Sequence, residues 1–454
     1  MTVLLYAVGV LAMAIGVGLS IALHELGHLL PAKRFGVKVT QYMIGFGPTI
    51  WSRQIGETEY GLKLVPFGGY CRMIGMFPPR PGDAPGTVRA TSTGRFSQLA
   101  DEARKSSLQE ITPGDENRVF YKLPTHKKFL IMLGGIMMNF LVALVLMTAV
   151  LTLYGVGVVG KGAQVAAVYQ CVVPAAQASA TATCPAGAAP TPAYAAGLRP
   201  GDRIVSVNGQ TVVGNASIGD LVGPRVGRPT ALTVVRDGRT FDLTLTPVEN
   251  TLPVLDAEGK PVLDANGKPR THVTGFMGIS SAPVVNVQRQ SLTAVPGYVG
   301  QALGSTAALV AHIPGKMVGV VKAAFGGGTR DVNGPISVVG VGRIAGEVSA
   351  GQVPGLPDDP AARVALLANI MASLNLALFA FNVLPLLPFD GGHAAGALWE
   401  WLKRRVARLR HRPDPGYVDV ARAMPLTYAV SMLLITMTVL LVYADIVNPI
   451  KLGG

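Results

Sequence analysis

The chain has 454 residues, a formal net charge of +13 and only 14% charged residues, with a mean hydropathy of +0.40. So few charges exclude an ordinary soluble globular protein, whose composition is close to one quarter charged. The basic excess does not indicate a nucleic-acid partner, because lysine and arginine cluster beside apolar runs and are absent from residues 1–32. We therefore predict a multi-pass membrane protein that contacts lipid and binds no nucleic acid.

Four runs are long and apolar enough to cross about 30 Å of hydrocarbon. The predicted transmembrane helices span residues 1–32, 129–155, 361–400 and 425–446. The first run lacks the basic start and short apolar stretch of a cleavable signal peptide. Basic residues follow the first run, precede the second and follow the third. The positive-inside rule therefore assigns residues 33–128 and the basic loop 401–424 to the cytoplasm. Both termini are then extracytoplasmic.

The long connection between the second and third helices has two parts. Residues 156–283 carry short alternating runs, including a predicted hairpin from Thr230 to Pro247 around Asp237-Gly238, and indicate an extracytoplasmic β-rich domain. Residues 284–360 are moderately apolar but contain Pro314 and scattered charges, so we predict amphipathic helices on the membrane surface. Cys171 and Cys184 both fall on this oxidising side and could form a disulfide.

The first apolar run carries three groups that hydrocarbon does not tolerate. His24 and His28 are four residues apart, so both imidazoles project from one face of a helix. That spacing suits one tetrahedral Zn²⁺, and Glu25 beside them can take a proton from water as a general base. A chance match would be the simpler explanation in a soluble chain, but ionisable residues inside a membrane are costly and usually functional.

A hydrolytic zinc site needs a third protein ligand. Asp390 is the candidate, because it ends the third apolar run just before the basic loop, at the same predicted depth as the two histidines. The alternative is an ordinary turn aspartate before Gly391-Gly392. An additional crossing within 284–360 would move Asp390 to the opposite face, so matching depth also favours four transmembrane helices. His393 is interpreted as a structural or interfacial histidine.

At this point the chain resembles the site-2 proteases, specifically the bacterial RseP-like intramembrane zinc metalloproteases with a PDZ domain. The resemblance covers most of the chain and rests on these segments: the HExxH motif His24–His28, the GFG element Gly45–Gly47, "GGIMMNF" from Gly134, and the Asn-x-x-Pro-x-x-x-x-Asp-Gly motif Asn382–Gly391. Ile136 stands where the family usually has proline, and Phe389 where it has leucine.

The resemblance implies two further features. "VPFGGYCRMIGM" from Val65 is similar to a membrane-reentrant β-loop, about residues 41–76, in which Gly68, Gly69 and Tyr70 are expected to contact substrate. "AYAAGLRPGDRIVSVNGQTV" from Ala193 is similar to a PDZ signature. Its Leu198, Ile204 and Val207 are expected at the peptide groove, and the domain is expected either to bind peptide or to screen substrate size.

The predicted function is hydrolysis of peptide bonds within transmembrane segments. Such a helix hides its amides, so an exposed strand edge in the β-loop is expected to pair with the unwound substrate. Asn382 either hydrogen-bonds the substrate backbone or joins two helices. The resemblance implies single-pass substrates already shortened outside the membrane, with anti-sigma factors as the expected targets. The alternatives are a non-catalytic PDZ membrane scaffold, which has no need for Glu25 or Asp390, and a transporter, which would need a polar relay through the other spans.

Overall fold

The computed structural model describes residues 2–79, 95–172, 184–185, 187–214, 216–254, 262, 264, 268–326, 330–331, 334–353 and 356–450. They form two compact units. One unit comprises Met1–Tyr154 and Gln290–Gly454, and the other comprises Gly155–Arg289. The first unit contains the apolar helices and the predicted metal ligands, and the second covers the range predicted for the β-rich domain.

The described helices of both units, in chain order, are α1 (Thr2–Arg34), α2 (Arg95–Gln109), α3 (Thr125–Ala149), α4 (Pro192–Ala195), α5 (Ala216–Val222), α6 (Val295–Phe325), α7 (Val338–Ser349), α8 (Pro360–Val383), α9 (Asp390–Leu409) and α10 (Met424–Val447). A π-helical turn, Val150–Tyr154, continues α3. The described strands are β1 (Val39–Ile55), β2 (Thr58–Met73), β3 (Val156–Val168), β4 (Arg203–Val207), β5 (Gln210–Thr211), β6 (Thr230–Arg236), β7 (Arg239–Leu245), β8 (Val248–Pro253), β9 (Thr271–Phe276) and β10 (Ile279–Gln288).

Five described helices are long and apolar enough to cross a membrane, where the sequence predicted four. They are Thr2–Arg34, Thr125–Tyr154, Val295–Phe325, Pro360–Val383 and Val420–Val447. The additional candidate is α6, a single 31-residue helix that continues through Pro314. The proline therefore does not break this helix, contrary to our expectation. The chain is a multi-pass membrane protein with five candidate spans among its described helices.

Two segments are more ordered than the sequence indicated. The predicted cytoplasmic loop 33–128 contains α2, whose buried Arg104 forms ion pairs with Asp101 and with Asp419 beyond α9. The basic segment after the third run was expected to be a loop, but α9 extends through it to Leu409. The predicted helix 361–400 is likewise divided, because α8 ends at Val383 and α9 begins at Asp390.

The predicted β-loop is present as the β1–β2 hairpin. The first half of β1 pairs on both sides, so that Tyr42 faces Tyr60 on one side and Cys71 on the other. The segment Gly69–Met73 is therefore an outer strand, with β1 on one edge and no other described strand on the second edge. Gly45 and Gly47 have φ values of 92° and 82°, which a side chain rarely adopts, and the register shifts around them curl the hairpin.

In the second unit, one sheet has the strand order β10-β3-β4-β6-β7, with β5 paired to β4. The predicted turn at Asp237-Gly238 is confirmed and joins β6 to β7, and a second turn at Asn208-Gly209 joins β4 to β5; all four residues have positive φ. Burial raises the pKa of Asp202, but hydrogen bonds from Arg236 and from the Arg199 amide outweigh that effect and hold the pKa below its usual range.

Cys171 and Cys184 are joined by a disulfide, and Cys71 in β2 is free. In a Cys71→Ser variant, which retains only the paired cysteines, we expect no maleimide labelling of the purified protein until a reductant is added. Labelling of the unreduced variant would contradict the bridge. A Cys171→Ser, Cys184→Ser variant, which retains Cys71, is the control for reagent access to a half-buried thiol.

Candidate metal centre

Three side chains from two helices converge on one point of the first unit. The Oδ2 atom of Asp390 lies 3.1 Å from Nε2 of His24 and 3.2 Å from Nε2 of His28, and the two Nε2 atoms are 3.3 Å apart. Ligands about 2.0–2.1 Å from a tetrahedral zinc are themselves about 3.3–3.4 Å apart. The triangle therefore has the size of one face of a zinc tetrahedron, and the three residues could hold a metal ion together.

Close packing of α1 against α3 positions His28. Gly27 and Gly134 meet backbone to backbone, and a Cβ added to either glycine would clash with the other helix. A Cβ on Gly135 would strike the His28 ring. Small residues at this crossing therefore let the helices approach closely enough for the imidazole to lie between them.

The ring nitrogens that point away from the triangle are also held. His28 Nδ1 lies 2.8 Å from the carbonyl oxygen of Ile131, which fixes the proton on Nδ1 and leaves Nε2 as a free ligand atom. His24 Nδ1 lies 3.1 Å from Nδ2 of the buried Asn139, whose Oδ1 has no hydrogen-bond partner among the described residues. Exchanging the two amide atoms changes nothing in shape and lets Oδ1 accept from His24 Nδ1. Both histidines are then in the tautomer that a metal requires.

Asn139 therefore acts as a positioning residue for His24, and its removal should weaken metal binding. We expect Asn139→Ala to lower zinc affinity by about 10–100-fold, the usual effect of losing an outer-shell partner. Asn139→Asp keeps an acceptor oxygen opposite Nδ1 and should retain most of the affinity. Competition with a chromophoric chelator measures both variants, and an alanine variant with wild-type affinity would refute the role.

Asp390 reaches the histidines because α9 begins at that residue. The chain turns sharply after α8, and a Cβ on Gly391 would clash with the carbonyl oxygens of Leu384 and Asn382. Glycine is required for this close approach. A carboxylate in the first turn also interacts favourably with the α9 dipole.

Glu25 lies beside the triangle but is not part of it. Its side chain is 8% exposed, and the backbone amide of Cys71 donates a hydrogen bond to it. A Cβ on Gly69 would lie 3.0 Å from the Glu25 Cγ atom, so the outer strand of the β-loop passes directly against this side chain. A carboxylate next to a metal site and a strand edge is placed to move a proton during attack on a peptide.

The other predicted site residues have varied surroundings. The Asn382 side chain is half-buried near the end of α8 and forms no hydrogen bond with another described residue. Gly68, Gly69 and Tyr70 lie in β2, where the Tyr70 ring stacks on Phe46. His393 is outside the triangle and its ring lies 6.3 Å from that of Phe77, and its structural or interfacial role stays a prediction.

The three predicted groove residues lie in the hydrophobic core of the second unit. Leu198 is 4% exposed and Ile204 and Val207 are fully buried. A described cleft of about 370 Å³ in that unit is lined by other residues, among them Tyr169, Ile218 and Ser281. The peptide-groove role of the three side chains therefore stays a prediction.

Asn139 is the residue that sequence reasoning missed. Its segment, "GGIMMNF", was noted for its resemblance alone. A signal was available, because an asparagine within an apolar run must find a hydrogen-bond partner.

Comparison with known proteins agrees with this geometry. The profile of Peptidase family M50 matches residues 12–418. The zinc metalloprotease Rip1 of Mycolicibacterium smegmatis is 32% identical over 465 residues, covering 99% of this chain and 100% of Rip1. Rip1 of Mycobacterium tuberculosis is 32% identical over 461 residues with the same coverage. The metalloprotease MmpA of Caulobacter vibrioides is 27% identical over 394 residues, covering 86% of this chain and 85% of MmpA. The chain therefore belongs to peptidase family M50, the site-2 proteases.

Proposed function

We propose that this peptidase is an intramembrane zinc metalloprotease that hydrolyses peptide bonds in the transmembrane segments of single-pass membrane proteins. The observation that carries the proposal is the position of Glu25, which lies between the His24–His28–Asp390 triangle and the outer strand Gly69–Met73. A proton-transfer group, three candidate metal ligands and a strand edge that no other described strand covers thus meet beside one apolar helix.

His24, His28 and Asp390 would hold a zinc ion, which would supply a Lewis acid for carbonyl and water activation. Glu25 takes the proton of the attacking water and can return it to the leaving amine. The Cys71 amide keeps the Glu25 carboxylate in place. The low exposure of Glu25 and His28 limits competing water around the reacting groups.

The outer strand supports the proposed mode of substrate binding. A helix must be unwound before cleavage, and an unwound segment needs partners for its freed amides. Pairing with the second edge of Gly69–Met73 supplies them by β-augmentation. A cleft of about 700 Å³ borders this edge and is lined by Tyr70, Arg72 and residues of α2 and α10. Gly68, Gly69 and Tyr70 are the proposed backbone contacts, and the Asn382 side chain, which no described residue hydrogen-bonds, is a further candidate.

For topology we propose four crossings, with α6 on the extracytoplasmic surface. Basic residues flank the apolar helices on one side, and a fifth crossing at α6 would put the basic segment of α9 outside. Both termini are then extracytoplasmic and the metal site lies near the cytoplasmic face. The β-rich unit, with the predicted PDZ signature, either binds peptide or screens substrate size.

The expected substrates are membrane proteins shortened by an earlier extracytoplasmic cleavage, with anti-sigma factors as candidates. A non-catalytic scaffold would need neither the triangle nor Glu25.

Membranes from a strain that carries Glu25→Gln should accumulate truncated single-pass proteins when analysed by quantitative proteomics. Their absence, in a strain where the variant is expressed at wild-type level, would overturn the assignment of substrate class.

A further inference from the structure

The face of α9 that points away from the protein is amphipathic. One side of the helix packs inward through Ala394, Ala397 and Glu400. A second stripe, formed by Leu398, Leu402, Val406 and Leu409, follows helical spacing on the outside and is 37–70% exposed. A helix that needed only one buried face would carry polar residues here.

Aromatic and basic side chains flank this exposed stripe. Trp399 and Trp401 are about half exposed, as is usual for tryptophan at a membrane–water interface. The exposed cations are Lys403, Arg405, Arg408 and Arg410, and none of them forms an ion pair with a carboxylate among the described residues. Their positive charge is therefore available to a negatively charged partner.

An ion pair between α3 and α9 places the start of this exposed face beside a candidate transmembrane helix. Lys128 at the start of α3 and Glu400 of α9 form a buried ion pair, with an Nζ to Oε2 distance of 2.9 Å, which holds α9 along the end of a candidate transmembrane helix. Between the two helices is an almost wholly apolar cleft of about 360 Å³. Its lining includes Phe129, Leu130, Leu398 and Trp401. Arg405 lies one turn beyond Trp401 on the same side of α9.

We propose that the exposed face of α9 binds acidic phospholipids of the adjacent leaflet. Acyl chains would lie against the leucine stripe and in the α3–α9 cleft, and headgroup phosphates would contact the four exposed cations. Bilayer lipid fits better than a protein partner because this face is continuous with a candidate span and combines the apolar, indole and basic groups that are typical of a membrane–water interface. The lipid would therefore contact the C-terminal half of α9, the helix that begins at the candidate metal ligand Asp390.

The chain offers a direct probe, because its three tryptophans are Trp51, Trp399 and Trp401. In full-length Trp51→Phe protein, indole fluorescence reports α9 alone. We expect brominated phosphatidylglycerol in nanodiscs to quench it more strongly than brominated phosphatidylcholine at the same mole fraction. Each cation near an acidic surface contributes about a fivefold preference. The difference should shrink at high salt.

A charge-neutral variant separates the two parts of the proposal. Changing Lys403, Arg405, Arg408 and Arg410 to glutamine should remove the preference for the acidic lipid and leave quenching by the neutral lipid. The matched control changes four exposed basic residues of the second unit to glutamine, Arg228, Arg239, Lys268 and Arg270, and it should keep the preference. Equal quenching of the Trp51→Phe protein by both lipids would overturn the proposal. Quenching by neither lipid would also overturn it and would indicate that protein covers this face.

Discussion

Replacing Glu25 by glutamine is expected to abolish peptide hydrolysis and leave the metal in place. Glu25 is not among the three convergent donors, so the ligand set is intact in the variant. The amide has the size and shape of the carboxylate and can still accept a hydrogen bond from the Cys71 amide. It cannot take a proton from water at neutral pH. General-base catalysis typically contributes about 10²–10⁴-fold, so hydrolysis should fall by at least about 100-fold.

Two measurements on the same purified sample test this expectation: bound zinc by elemental analysis, and the cleavage rate of a transmembrane peptide in detergent or nanodiscs. Glu249→Gln is the matched control, because it makes the same chemical change on an exposed strand of the second unit. Hydrolysis near the wild-type rate in Glu25→Gln would remove Glu25 from the mechanism. Loss of zinc together with activity would show that Glu25 supports the ligands instead.

The convergence of His24, His28 and Asp390 could be predicted from the sequence because two simple constraints act together. Helical periodicity puts the two histidines on one face, and the cost of polar groups in hydrocarbon limits the choice of partner to very few residues. The ligand atoms of His28 and Asp390 meet although 362 positions separate them. The basic residues beside the apolar runs indicate which end of each run is cytoplasmic. This placed His28 and Asp390 at the same membrane depth without a structure.

Contacts that depend on tertiary structure could not be predicted in this way. The helix α2 is anchored by Arg104 to Asp419, 315 positions away, and no local pattern in a charged, Pro-rich segment indicates such a pair. Pro314 is tolerated within α6. A proline removes only one amide donor, and the remaining backbone hydrogen bonds of this long apolar helix keep it continuous. The resemblance assigned Ile204 and Val207 to a peptide groove, but the structure buries both in the domain core, and a short apolar strand segment looks the same in either place.

Replacing Asp390 by alanine is expected to lower both metal retention and hydrolysis, unlike Glu25→Gln. The Asp390 Oδ2 atom is within 3.2 Å of both imidazole Nε2 atoms, so it completes the donor triangle and supplies its only negative charge. Two neutral imidazoles leave zinc under-coordinated in a site of low dielectric constant. The loss of zinc affinity should therefore exceed the roughly 10–100-fold that removal of an outer-shell partner causes.

The graded variant Asp390→Asn makes this test quantitative. Asparagine keeps the size of the side chain and one oxygen donor but loses the charge, so its zinc affinity should fall between those of the wild type and the alanine variant. Helix stability is a possible confounder, because Asp390 lies in the first turn of α9, and circular dichroism monitors it separately. His393→Ala changes a polar residue in the same turn outside the triangle and should keep its zinc. If Asp390→Ala kept full zinc occupancy and full hydrolysis, the third ligand would have to be another residue. The pairing of the two distant motifs would then have no chemical basis.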